Sequence, residues 1–155
     1  MTERQIQINE NGILLILDNS VLEKYNTYYF KLHPKAKKIP IEKPQHPSIN
    51  QWCILPRIQM NALKQKWKDF GCWWIRDLGL QDLMLDDFEM VFTTYFNTKR
   101  RHDVDNLSPK FLLDAFTESG FIVDDDEKHL HSLTLKTGYD KENPRTEIFI
   151  KILNT

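Results

Sequence analysis

Between residues 99 and 126 the chain reads basic run, acidic pair, amphipathic helix, acidic run, and this order constrains it more than any other feature. Lys99-Arg100-Arg101 precedes Asp103-Val104-Asp105-Asn106. Ser108-Pro109 then reads as a helix start, because a serine N-cap accepts a backbone N–H and proline at the first helical position loses no bond. Leu107, Phe111, Leu112, Ala115, Phe116 and Ser119 share one face of that helix, and Gly120 supplies the left-handed position that ends it. Asp124-Asp125-Asp126 follows at once. Two acidic groups therefore flank one short element and can converge on one spot. Hard divalent cations prefer carboxylate oxygens, and a basic run beside them attracts phosphate. The pattern points to metal-assisted phosphodiester chemistry.

Composition narrows the setting. With 155 residues, 41% of them hydrophobic, the chain is long enough for one domain with a proper core. Its net charge of −1 withholds the overall basicity of many nucleic-acid binders. Positive charge is instead concentrated at Lys31, Lys35, Lys37, Lys38 and Lys43 and at residues 99–101, so DNA binding must use local patches. Cys53 and Cys72 have no CxxC spacing and no ordered Cys/His partners, which argues against zinc ribbons and redox motifs. Free thiols in a reducing compartment are the simplest reading. The start lacks a charged segment followed by an apolar one, and no apolar run approaches ~18 residues. A soluble, cytoplasmic protein with no membrane partner is expected.

Residues 5–18 read as a small β ribbon turning at Asn11-Gly12, part of an N-terminal extension over residues 1–26. Aromatic-rich residues 27–33 read as a strand opening the main domain, 27–155. Pro34, Pro40, Pro44 and Pro47 then punctuate a mobile basic arm at residues 34–47. Leu63, Trp67, Phe70, Trp74 and Leu78 form a helical core stripe, with Pro56 suited to the first turn. Residues 88–96 have the composition of a buried strand, and 129–136 and 146–153 alternate as a C-terminal hairpin. From residue 27 the order is strand, helix, strand, helix, strand, strand. The expected fold is a single α+β domain, a mixed β-sheet with two main helices on one face.

The motifs carry competing readings. In an extended segment Asp103 and Asp105 project to the same side and can bind one ion. An EF-hand loop also begins D-x-D, but Leu107, Ser108 and Asp114 stand where it requires an oxygen ligand, glycine and glutamate. Against a site, Asp103, Asp105 and Asn106 serve as turn and capping residues, and residues 124–127 as a solvated acidic loop. His129-Leu130-His131 reads as packed or surface histidines, Trp67 and Trp74 as core, and Asp82, Asp86, Asp87 and Glu89 as a solvated turn.

The order of residues 99–107, Lys110, Leu113-Asp114-Ala115-Phe116, Gly120 and Asp124-Asp125 closely resembles the RusA family of Holliday junction resolvases. Their signature reads roughly R-x-D-x-D-N-L-x-K, a D-A-L-like helix and a D-D pair. His46-Pro47-Ser48-Ile49-Asn50 also resembles the family's P-P-S-x-N segment. The resemblance implies a homodimeric, Mg²⁺-dependent endonuclease acting on branched DNA, the four-way junction above all, with a phage or prophage source. Carried over by residue, it makes Asp103, Asp105 and Asp125 metal ligands and Lys110 the catalytic lysine, displaced by one because Pro109 is additional. Counting from Asp114 selects Asp125, with Asp124 and Asp126 as alternatives. Lys35, Lys37, Lys38, Lys99, Arg100 and Arg101 are the expected DNA contacts. Tyr28-Tyr29-Phe30 and the apolar ribbon are dimer-interface material or monomer core. The rival readings are a DNA-binding module of the same fold without cleavage, and a structural metal-binding domain.

Overall fold

Apolar side chains alternate along the strands and bury one face of a five-stranded sheet, described here from a computed structural model over residues 6–153. Strand β1 (Ile6–Ile8) pairs antiparallel with β2 (Gly12–Asp18) in the expected ribbon, whose turn lies one residue earlier than expected, at Glu10-Asn11, because Gly12 already opens β2. Gln5, where that ribbon was expected to begin, lies outside the described residues. The remaining strands are β3 (Phe88–Phe96), β4 (Leu130–Tyr139) and β5 (Arg145–Ile152), in the order β1-β2-β5-β3-β4. Ile13, Leu15, Leu17, Met90, Phe92, Ile148 and Ile150 point into the core beneath the helices. The fold is α+β, as the sequence implies.

Two expectations fail on topology. Strands β4 and β5 form no hairpin: β5 inserts between β2 and β3, antiparallel to both, while β4 lies parallel to β3. Parallel neighbours need a crossover, and here that crossover is residues 97–129, the stretch carrying both acidic groups. Of the segment expected as an extension, residues 6–18 are integral to the sheet, because β2 pairs with β5 along its whole length.

Residues 27–32 are helical and His33 is the C-cap, so the segment is not a strand. It ends helix α1 (Asn19–Leu32), which Asp18 caps by accepting the N–H groups of Ser20 and Val21. Val21, Leu22 and Tyr25 bury one face of α1, and Tyr25 meets Phe70 and Trp73 at ring-centroid distances of 5.1 Å. The proline-rich arm is also more ordered than a mobile linker. Lys35, Lys37 and Lys38 are exposed. Ile41 is buried, Gln45 donates to the Tyr95 carbonyl at 2.9 Å, and Thr146 donates to that of Pro44 at 2.6 Å. A short helix α2 (Ile49–Trp52) follows, opened by a capping box between Ser48 and Gln51.

The long helix α3 (Arg57–Asp77) follows the expected stripe, with Trp67, Phe70 and Trp74 buried. It packs on α4 (Lys110–Glu118) so closely that a Cβ on Gly71 would stand 2.5 Å from that of Ala115. Helix α4 starts later than expected. Residues Val104–Leu107 form a 3-10 turn, Ser108 is extended at φ −60° and ψ 126°, and Pro109 takes the cap position without a side-chain bond. Its end matches expectation, with Gly120 at φ +75°.

Candidate active site

The crossover sets the charged side chains around the start of α4. Asp103 lies before the 3-10 turn, exposed, with its carboxylate 3.8 Å from Arg101. Asp105 is in that turn and also exposed. Lys110 opens α4 and lies 3.2 Å from Asp114, an i,i+4 pair. Such an exposed pair contributes only ~0.3–0.5 kcal/mol, so it does not by itself explain the lysine.

Beyond Gly120 the chain runs beside residues 82–85, with Leu85 and Ile122 bridged in parallel, and delivers Asp124 and Asp125 half-buried. Burial and the side chain of Asp124 raise the pKa of Asp125, while the charge of Lys110 opposes the rise. Lys110 and the second acidic group are therefore in electrostatic reach of each other. Among the described residues, no group of three or more His, Cys, Asp or Glu is placed to hold one ion. In donor chemistry the residues do suit a hard cation. Two carboxylates pressed together, one with a raised pKa, form a pairing that a divalent ion relieves.

The basic segments meet at a polar cleft of about 540 Å³. Lys43, Gln45, His46, Ser48, Phe96, Arg100 and His102 are among the residues that line it. His102 stacks on Phe96 at 3.6 Å with an interplanar angle of 9°. Lys99 sits 5.2 Å over the ring of Tyr139. Lys99, Arg100 and Arg101 are all exposed.

Three arrangements escape local sequence reading. His46 is 7% exposed and accepts the Phe111 N–H from 65 positions away, so no spacing rule finds it. The stacked His102 lies inside the very motif that drew notice to its neighbours. Asp86 and Asp87, read as a solvated turn, are instead paired with His129, at 2.7 Å, and with His131. The alternation of β4 hinted at the two histidines, and the parallel register beside β3 supplied the partners.

An α+β domain that brings cationic segments and carboxylates to the start of one helix is suited to a polyanionic ligand. The profile of the family described as endodeoxyribonuclease RusA matches residues 2–151, nearly the whole chain, and the chain belongs to that family. Comparison with curated proteins returned no match. No helix among the described residues is long and apolar enough to cross a membrane.

Proposed function

We propose that this protein is a Mg²⁺-dependent endonuclease that resolves four-way DNA junctions as a homodimer. The observation that carries the reading is a family match spanning residues 2–151; the likeness of residues 99–126 to the family signature supports Asp103, Asp105, Asp125 and, displaced by one position, Lys110 as its working residues.

Asp103, Asp105 and Asp125 are the residues that would hold the metal, Asp124 and Asp126 being the alternatives to Asp125. When bound, Mg²⁺ supplies positive charge at the scissile phosphate and activates water for its hydrolysis. Lys110 places an ammonium at the start of α4, where the helix dipole adds positive potential, and stabilises charge that grows on the phosphate oxygens. Lys35, Lys37, Lys38, Lys99, Arg100 and Arg101 contact phosphates outside the reacting centre, setting register and affinity.

A four-way junction presents two equivalent scissile phosphates, and a two-fold dimer presents two equivalent sites to them. Sedimentation equilibrium tests the dimer, and a protein that stays monomeric on junction DNA counts against paired cleavage. The deciding experiment incubates a labelled synthetic four-way junction with Mg²⁺, beside a linear duplex of the same sequence and a chelated control. Cleavage restricted to the junction with metal is expected. Binding without cleavage would instead favour a DNA-binding module of the same fold.

A further inference from the structure

His46 lies in a lysine- and proline-rich segment, yet it is only 7% exposed and both ring nitrogens are engaged. Nδ1 is 2.8 Å from the Pro47 carbonyl oxygen, which can only accept, so Nδ1 carries the proton. Nε2 is then the acceptor for the Phe111 N–H at 3.0 Å. The ring packs 5.3 Å from Trp67 and 5.1 Å from Phe111. Burial lowers its pKa to about 4, against the smaller opposing effects of the Pro47 carbonyl and Asp114, so the ring is neutral near neutral pH.

Helix α4 supplies no substitute of its own. Its cap position is Pro109, which makes no side-chain bond, and its first turn holds no acidic residue. The opening N–H groups of a helix need acceptors, and Phe111 finds one on a segment remote in sequence.

We propose that His46 is a positioning residue: it caps α4 at Phe111, fixes the turn from which Lys110 acts, and ties the basic arm to that turn. The inference rests on the nuclease reading above. Lys110 immediately precedes the capped residue, so fraying or rotation of the first turn displaces its ammonium relative to Asp125 and to a bound phosphate. Displacements of about 1 Å at such a group cost on the order of 10²-fold in rate. Affinity, spread over many phosphate contacts, is far less sensitive.

Two substitutions separate the acceptor from the ring. His46→Phe keeps an aromatic ring against Trp67 and removes the acceptor, whereas His46→Gln loses the ring and offers its amide oxygen near the Nε2 position. In His46→Phe, the Phe111 amide is expected to lose hydrogen-exchange protection and kcat on the Mg²⁺-loaded junction to fall roughly 10- to 100-fold, with junction affinity changed by less than about twofold. His46→Gln is expected to recover the protection and most of kcat. A His46→Phe protein that keeps either the protection or wild-type kcat overturns the proposal, as does a His46→Gln protein no better than it. Should His46→Phe fail to fold, imidazole nitrogen shifts of the unmodified protein decide. A neutral ring protonated on Nδ1 from about pH 5 to 8 is expected, and a charged or Nε2-protonated ring overturns the assignment. Exchange and nitrogen shifts need no catalysis. A wild-type protein that cuts no branched DNA therefore defeats the nuclease reading and the positioning role with it, while a His46→Phe protein that keeps the Phe111 protection or wild-type kcat defeats only this proposal.

Discussion

The two ends of α4 are built on opposite principles. At the C-terminal end the chain closes with its own backbone: Gly120 turns it at φ +75°, and the N–H groups of Asp82, Met84 and Leu85 bond to the carbonyls of Ser119, Gly120 and Phe121. Phe116 and Phe121 meet edge to face beneath that turn. At the N-terminal end the backbone is completed by one imidazole from afar, and the side chains around it are lysine and carboxylate, exposed or half-buried. A closed end holds shape, and an end with charged groups on its surface can meet a ligand. If that division is right, substitutions at the first end act on stability and those at the second on turnover.

The largest effect falls on the acidic groups. Asp103→Asn, Asp105→Asn and Asp125→Asn should each lower Mg²⁺-dependent junction cleavage by ~10³-fold or more, since several kcal/mol of charge stabilisation are lost. Junction binding should be kept or tightened, because a negative charge beside phosphate is removed. A variant that cuts at near the wild-type rate takes that aspartate out of the site. Lys110→Ala comes next, at ~10²–10³-fold in kcat, the range for loss of one preorganised stabilising group. Unchanged cleavage together with a lower melting temperature would make Lys110 structural and blur the division between the two ends.

Acid should attack the N-terminal end through His46. Its pKa is about 4 in the folded protein against an ordinary 6.5, so between those values the unfolded chain binds the additional proton. The contribution is complete above pH 6.5, is lost as pH falls, and levels off below about 4. The total is about 3 kcal/mol at 1.36 kcal/mol per unit. Urea midpoints across that window should show the slope in the wild type and its loss in His46→Gln. Equal slopes in both proteins would assign the acid sensitivity elsewhere.

Gly120→Ala tests the closed end. A left-handed backbone costs a residue with Cβ ~1–2 kcal/mol, and here the Cβ would stand 2.7 Å from the Asp82 carboxylate and 3.1 Å from its backbone. Melting temperature should fall while kcat per folded molecule stays constant. This end was legible in sequence because glycine after a run of helical apolar positions is a local signal, as were the stripe of α3 and the β-rich composition of β3. The other end was not. A 3-10 turn ahead of Pro109 displaced the serine cap, and the true cap came from a remote segment. Residues 27–33 misled in the same way: strand-favouring aromatics are overruled by the Asp18 cap and by Tyr25 packing on Phe70 and Trp73. The supposed hairpin failed because alternation reveals a strand but not its neighbours, and β5 pairs with β2 and β3. The carboxylates were legible as residue types.

The smallest effect per residue belongs to the arm. Lys35, Lys37 and Lys38 are exposed and lie on the segment whose later residues form the cleft shared with Arg100. Each phosphate contact they make adds roughly one unit to the slope of log K against log salt, so replacing all three with Ala should shallow it by up to ~3. Lys68 provides the contrast. It pairs with Glu118 at 3.0 Å near the closed end of α4, and Lys68→Ala should leave the slope unchanged. If Lys68→Ala flattened the slope and the triple variant did not, DNA would cross the closed end. The functional division of α4 would then be reversed, because phosphate would be held where backbone bonds leave no reactive group and the carboxylates at the opposite end would face solvent alone.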